Sequence, residues 1–112
     1  MSDKNTLTFH HVTAVNIERC NRWHKNGIND WLPERWITAT LGELGEAANA
    51  LKKLFRVEDD IANINDVSRQ ILTRSEAIDK IAEEVADTFI YLNLFAARLD
   101  IDLAEEVIKK FN

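Results

Sequence analysis

The sequence predicts an all-α fold, and three observations support that reading. Gly and Pro are scarce, 3 and 1 in 112 residues, so the turn residues that a many-stranded sandwich or barrel requires are missing. Two long stretches repeat apolar residues at alternating steps of four and three, the pattern of a helix with one apolar stripe. Capping signals precede two helical segments, at Thr73-Arg74-Ser75-Glu76 and Asp102-Leu103-Ala104-Glu105. At this length the chain is expected to form one domain, residues 1–112, whose modest core favours assembly into an oligomer.

Each element follows from local chemistry. A first helix is expected to start at Thr6 or Thr8 and run to about Trp23, with Phe9, Val12, Val15, Cys20 and Trp23 as an imperfect stripe. Residues 25–32 read as a loop, and Pro33 suits the first turn of the next helix because its missing N–H would be unpaired there anyway. That second helix is expected over 33–55, where Ile37, Leu41, Leu44, Ala48, Leu51 and Phe55 form a bundle-type seam. Residues 56–72 hold turn formers (Asp59, Asp60, Asn63, Asn65, Asp66) and also a spaced apolar set (Ile61, Ile64, Val67, Ile71), so turns and one more short helix both stay open. From the capping box at Thr73, Ile78, Ile81, Val85, Phe89, Leu92, Ala96 and Leu99 make the second seam. A short last helix follows Asp102, with Leu103, Val107, Ile108 and Phe111 expected to face inward.

The charge balance excludes several classes. A net charge of -5 and a pI near 5.1 leave no basic face to release phosphate counterions, so neither nucleic acid nor an anionic membrane is an expected partner. An anionic small substrate would instead need a metal ion or a few local cations. Cys20 is the only cysteine, no apolar run is long enough to span a membrane, and the start Met1-Ser2-Asp3-Lys4 lacks a signal-peptide apolar core. The expected compartment is the cytoplasm.

Chemistry enters through paired acids. Glu43 and Glu46 are three apart on the second helix, as are Glu84 and Asp87 on the third, so each pair lies on one face within a turn. Both pairs stand well over a quarter-turn from their own apolar seam, in matching phase relative to Leu44 and Val85. The first pair shares its side with Trp36, Ala39, Ala47 and Ala50, and the second with Thr88, Tyr91 and Phe95, with Lys80 and Arg98 at the ends. A solvated face would be rich in Lys, Arg and Gln, so both helices are expected to be buried on two sides. One Glu-x-x-Glu usually marks a solvated face, but two pairs in equal phase are far less common by accident. Four carboxylates meeting in a partly buried space require cations, and hard oxygen ligands without His or Cys select Mg²⁺ or Mn²⁺. A di-iron bundle would want a Glu-x-x-His pair, and Asp87 stands where that His would be.

At these residues the chain resembles the MazG-like nucleotide pyrophosphohydrolases of the all-alpha NTP pyrophosphatase superfamily. The segments Gly42-Glu43-Leu44-Gly45-Glu46-Ala47-Ala48-Asn49 and Glu84-Val85-Ala86-Asp87-Thr88-Phe89-Ile90-Tyr91-Leu92 look like that family's two motif helices, within a resemblance covering roughly residues 33–112. The interval between the motifs is longer than in the shortest members. The resemblance implies a four-helix-bundle-type fold and a homodimer or homotetramer. It also implies hydrolysis of a (deoxy)nucleoside triphosphate to the monophosphate and pyrophosphate, with Mg²⁺ held by Glu43, Glu46, Glu84 and Asp87. Glu46 is the candidate for taking a proton from the attacking water. Lys110 and Asn112, in the ending Lys109-Lys110-Phe111-Asn112, resemble a segment that approaches phosphates.

Weaker candidates surround this set. Trp23, His24, Trp31 and Trp36 lie just before the first acidic pair, and an aromatic beside a polar partner can stack on a nucleobase. His24 and Trp31 are substrate-contact candidates on that ground, while Trp23 reads as a core or interface anchor. Tyr91, on the acidic side of the third helix, and Lys53, below the first acidic pair, complete the candidate substrate contacts. His10 and His11 are adjacent and so point to different sides of a helix. Cys20 reads as a small buried hydrophobe. Two competing functions remain at this stage: a phosphoribosyl-ATP pyrophosphohydrolase, which shares the acidic logic, and a non-catalytic helical oligomerisation module whose acids are surface charge.

Overall fold

The computed structural model of the chain describes residues 7–62 and 73–112. Among these are four α-helices, a 3₁₀ turn and no strand, in agreement with the expected all-α fold. In order they are α1 (Phe9–Trp23), the 3₁₀ turn (Gly27–Asp30), α2 (Pro33–Ala62), α3 (Arg74–Arg98) and α4 (Leu103–Phe111).

Side-chain chemistry sets the helix ends. Thr8 caps α1, its hydroxyl accepting the His11 N–H at 3.1 Å. Gly27 has a positive φ of 60°, and a Cβ there would collide with the Asn21 side-chain oxygen, so the 3₁₀ turn tolerates only Gly. Pro33 opens α2 as expected, but the helix continues seven residues past Phe55 to Ala62. Asp59 and Asp60 do not stop it, because each costs only a few tenths of a kcal/mol in a helix while elongation adds a backbone bond per residue. Of the segment left open at 56–72, residues 63–72 lie outside the described residues.

The capping box ahead of α3 is formed reciprocally. Thr73 Oγ1 accepts the Glu76 N–H at 3.1 Å and Glu76 Oε1 accepts the Thr73 N–H at 3.3 Å. At its other end the Ile101 N–H reaches the Ala96 carbonyl and the Asp100 N–H the Ala97 carbonyl, with Asp100 left-handed at φ 58°. This is a Schellman ending with Asp in the place that Gly usually takes. Asp102 caps α4 by accepting the Glu105 N–H at 3.1 Å, and His10 Nε2 stands 3.2 Å from both of its carboxylate oxygens. The Glu105 N–H first, and then His10, hold the Asp102 carboxyl below its ordinary pKa.

Two compact units are distinguishable, one comprising Met1–Ala39 and Ile90–Asn112, the other Thr40–Phe89. The first contains an apolar core of Cys20, Trp36 and Leu94, against which Ile28, Trp31, Ile90, Tyr91 and Phe95 pack. Polar groups are threaded through it. Asn16 Nδ2 donates to the Ile90 carbonyl at 2.9 Å and to Asn93 Oδ1 at 3.2 Å, and Asn93 Nδ2 donates to Thr13 Oγ1 at 2.9 Å. Trp36 Nε1 donates to the Ile28 carbonyl at 3.0 Å.

In the second unit the inward face differs from the seam that the sequence makes most conspicuous. Leu41 and Phe55 of that seam are 61% and 56% exposed, and Leu44, Leu51, Ile78 and Val85 are exposed as well. Thr40, Ala50, Leu54, Ala77 and Glu84 are buried instead. On α2 the inward stripe runs Thr40, Glu43, Ala47, Ala50, Leu54, again at steps of three and four, so α2 carries two helical seams. Of the two sides expected to be buried, only the small-residue and acidic side is covered within a single chain, because small side chains admit the closest approach of a neighbouring helix. Two further expectations are corrected. Trp23 is 72% exposed, with the Arg19 guanidinium 4.8 Å from its ring centroid, and is not a core anchor. Ile108 and Phe111 of α4 face solvent, whereas Leu103 and Val107 are half-buried.

Candidate metal-binding site

Three of the four acids come together within the second unit. Glu43 on α2 and Glu84 and Asp87 on α3 each offer a carboxylate oxygen, and these oxygens all lie within 4.8 Å of one another. Glu84 is 7% exposed, while Glu43 and Asp87 are half-buried. The i,i+3 spacing on α3 puts Glu84 and Asp87 on one side of one turn, which brings both to a single Glu from α2. Glu46 is exposed, one turn beyond Glu43, and is not one of the three clustered acids.

The electrostatics show what the arrangement costs. The Glu43 carboxyl is pushed above its ordinary pKa, first by burial, then by the charges of Asp87 and Glu84, by a hydrogen bond to Glu84 that only its protonated form can donate, and by Glu46. Acids are thus held close together here, at a cost to the charged form of Glu43. One cation offsets part of the repulsion, since Lys80 Nζ stands 3.2 Å from Glu84 and 3.7 Å from Glu83. The hydrogen bond to Glu84 and the nearby Glu83 charge raise the Lys80 pKa. The sequence showed Lys80 at the end of the acidic face, and its i,i+4 spacing to Glu84 was the available signal for this ion pair. The Glu84 carbonyl accepts the Thr88 hydroxyl at 2.7 Å, a local bond on the same side of α3.

The donor set suits a hard divalent cation. All three ligands are oxygens, with neither His nor Cys in the set, and Mg²⁺–oxygen distances of about 2.1 Å place two ligand oxygens of one ion at most about 4.2 Å apart. A span of up to 4.8 Å contracts to that with small side-chain rotations.

The remaining candidates are dispersed by comparison. In the first unit His24 and Trp31 are half-buried with ring centroids 5.2 Å apart, and Trp31 and Trp36 are at 4.5 Å. Tyr91 lies 6.2 Å from Trp36, and His24 Nδ1 is 3.4 Å from Asp30 Oδ2. Trp36 is the buried anchor of this aromatic group, and Trp31 is the member that lines an open cavity. Lys53 is exposed on α2, and Lys110 and Asn112 are exposed at the end of α4. Cys20 is buried as expected, and burial followed by the Asp30 charge raises its thiol pKa. The Asn16–Asn93–Thr13 network was missed from sequence; the signal was an Asn at the buried position between Val12 and Cys20.

No family model, curated protein or solved structure matches this chain. No described helix is long and apolar enough to cross a membrane.

Proposed function

We propose that the protein is a MazG-like, Mg²⁺-dependent nucleoside triphosphate pyrophosphohydrolase, converting a (d)NTP and water to a (d)NMP and pyrophosphate. The observation that carries this reading is the convergence of Glu43, Glu84 and Asp87 from two helices on a space of metal-site dimensions. Clustered acids with little access to water are unfavourable in a purely structural element and become favourable once a divalent cation is shared. Mg²⁺, or Mn²⁺ in its place, would supply charge neutralisation for the triphosphate and a more acidic bound water. Glu43, Glu84 and Asp87 would hold it. Glu46, exposed beside them, is the group assigned to take the proton of the attacking water, whose oxygen bonds to the α-phosphorus as pyrophosphate leaves. Lys80 pairs with Glu84 at 3.2 Å and offsets part of its charge. His24, Trp31, Lys53, Tyr91, Lys110 and Asn112 are the proposed substrate contacts.

The same reading includes a homodimer or homotetramer of four-helix-bundle type. It is supported by the outward seam of Leu41, Leu44, Leu51 and Phe55 on α2 with Ile78 and Val85 on α3, since a contiguous apolar stripe of this length is costly to leave in water. Leu44→Asp is expected to shift the protein toward monomer in sedimentation velocity.

The deciding experiment is a panel of common and damaged (d)NTPs, with phosphoribosyl-ATP included, assayed with Mg²⁺ and scored for pyrophosphate against orthophosphate. Release of pyrophosphate by the wild type and its loss in Glu84→Gln is the expected result. Orthophosphate release, or turnover of phosphoribosyl-ATP alone, would refute the proposed reaction.

A further inference from the structure

Trp31 is held by its backbone as well as by its ring. It follows the 3₁₀ turn in an extended conformation, φ -113° and ψ 141°, and Leu32 behind it gives its carbonyl to the N–H groups of Arg35 and Trp36 at the start of α2. The Trp31 carbonyl is taken by a residue far away in sequence. Arg98, in the last turn of α3, donates its Nε–H to that oxygen at 2.9 Å. A guanidinium donor makes a stronger bond than a neutral one.

The ring contacts complete the fixation. Trp36 lies against the indole with centroids 4.5 Å apart, His24 meets it edge-on at 5.2 Å, and the Arg35 guanidinium stands 4.8 Å from the ring centroid. The half-buried indole still lines an open cavity of about 470 Å³, shared with Asp30, Leu32, Glu34, Arg35 and Thr38. A rigid aromatic wall with charged neighbours is suited to a planar heteroaromatic ring, because its position is fixed before the ligand arrives and little ordering remains to oppose binding.

We infer that Arg98 is a positioning residue for the substrate: it fixes the Trp31 backbone, and through Trp31 it sets the affinity for the nucleotide without taking part in the chemistry. The inference rests on the reading of Trp31 as a substrate contact. Freed from Arg98, the segment would sample other conformations, and binding would have to reorder it.

The test uses the full chain with the best triphosphate of the panel. Arg98→Gln is expected to raise KM roughly tenfold while kcat stays within about twofold, the pattern of a lost uniform binding contribution. Arg98→Lys, which keeps a cationic donor on a long stem, recovers part of that loss and serves if the Gln variant folds poorly. In a Trp31→Ala background Arg98→Gln adds no further KM effect, and Mn²⁺ affinity read by electron paramagnetic resonance is unchanged throughout. A lowered Tm with wild-type KM in Arg98→Gln, or KM effects that simply multiply in the double variant, overturns the assignment of Arg98 alone. A wild-type protein with no turnover and no tryptophan fluorescence response to any triphosphate overturns the nucleotide reading, and this inference with it.

Discussion

The two units use their buried polar groups in opposite ways. In the first, every polar side chain carried inward has a complementary partner: Asn16 with the Ile90 carbonyl and Asn93, Asn93 with Thr13, Trp36 with the Ile28 carbonyl. Such pairs cost little once satisfied and specify one packing. In the second, Thr40 is buried as well, and the buried carboxyl of Glu84 faces two further acids, Glu43 and Asp87. Lys80, half in solvent, offsets part of the Glu84 charge. The difference separates a region whose buried polar groups bond to one another from one whose clustered acids could accommodate a cation.

Mutation breaks this comparison at its strongest point first. Glu84→Gln or Asp87→Asn is expected to reduce pyrophosphate release by at least about a thousandfold, because the cation would lose a charged ligand, while thermal unfolding without metal shows a folded and equally or more stable protein. Near-native turnover in either variant would remove the second unit from the chemistry. Asn93→Ala should do the reverse, lowering stability by about 2–4 kcal/mol in urea titration, since it leaves Asn16 and Thr13 without their buried partner and opens a cavity. Asp100→Gly should stabilise by about 0.5–1 kcal/mol, because a left-handed residue without a Cβ avoids the penalty Asp carries at φ 58°.

The smallest effect expected is on pH dependence. The Glu43 carboxyl is raised in the folded chain, so between its unfolded and folded pKa values the native state binds more protons than the unfolded state. The penalty is therefore absent below the ordinary carboxylate range and grows as pH rises through the raised value. Metal-free protein in EDTA should accordingly gain Tm as pH falls through the raised value toward the ordinary carboxylate range, and Glu43→Gln should flatten that slope. An unchanged slope in Glu43→Gln would show that the acids do not interact as strongly as their spacing implies.

Much of the fold was legible because helix signals are local. Thr8, Pro33, Thr73-x-x-Glu76 and Asp102 each fix an end through bonds to residues three or four away, and each is found where the sequence has it. What escaped was which face of α2 turns inward. Leu41, Leu44, Leu51 and Phe55 give a stronger periodic pattern than Thr40, Glu43, Ala47, Ala50 and Leu54, yet the second stripe is the one covered within the chain. Periodicity reports that a face is apolar and is silent on what covers it. The acids were readable as two pairs, but that Glu46 stands apart from the other three depends on side-chain reach across helices, which spacing along one helix cannot specify. Long-range bonds such as Asn16 to Asn93 and Arg98 to Trp31 leave no periodic trace.

Cys20 offers a practical consequence. It is the chain's single thiol, enclosed in the aromatic-lined core, with its pKa raised by burial and by Asp30. An alkylating reagent can reach it only during an opening of that region, so the labelling rate of the native protein counts such excursions directly. With one reactive atom per molecule, intact-mass spectrometry then times the breathing of this half of the chain without an engineered probe.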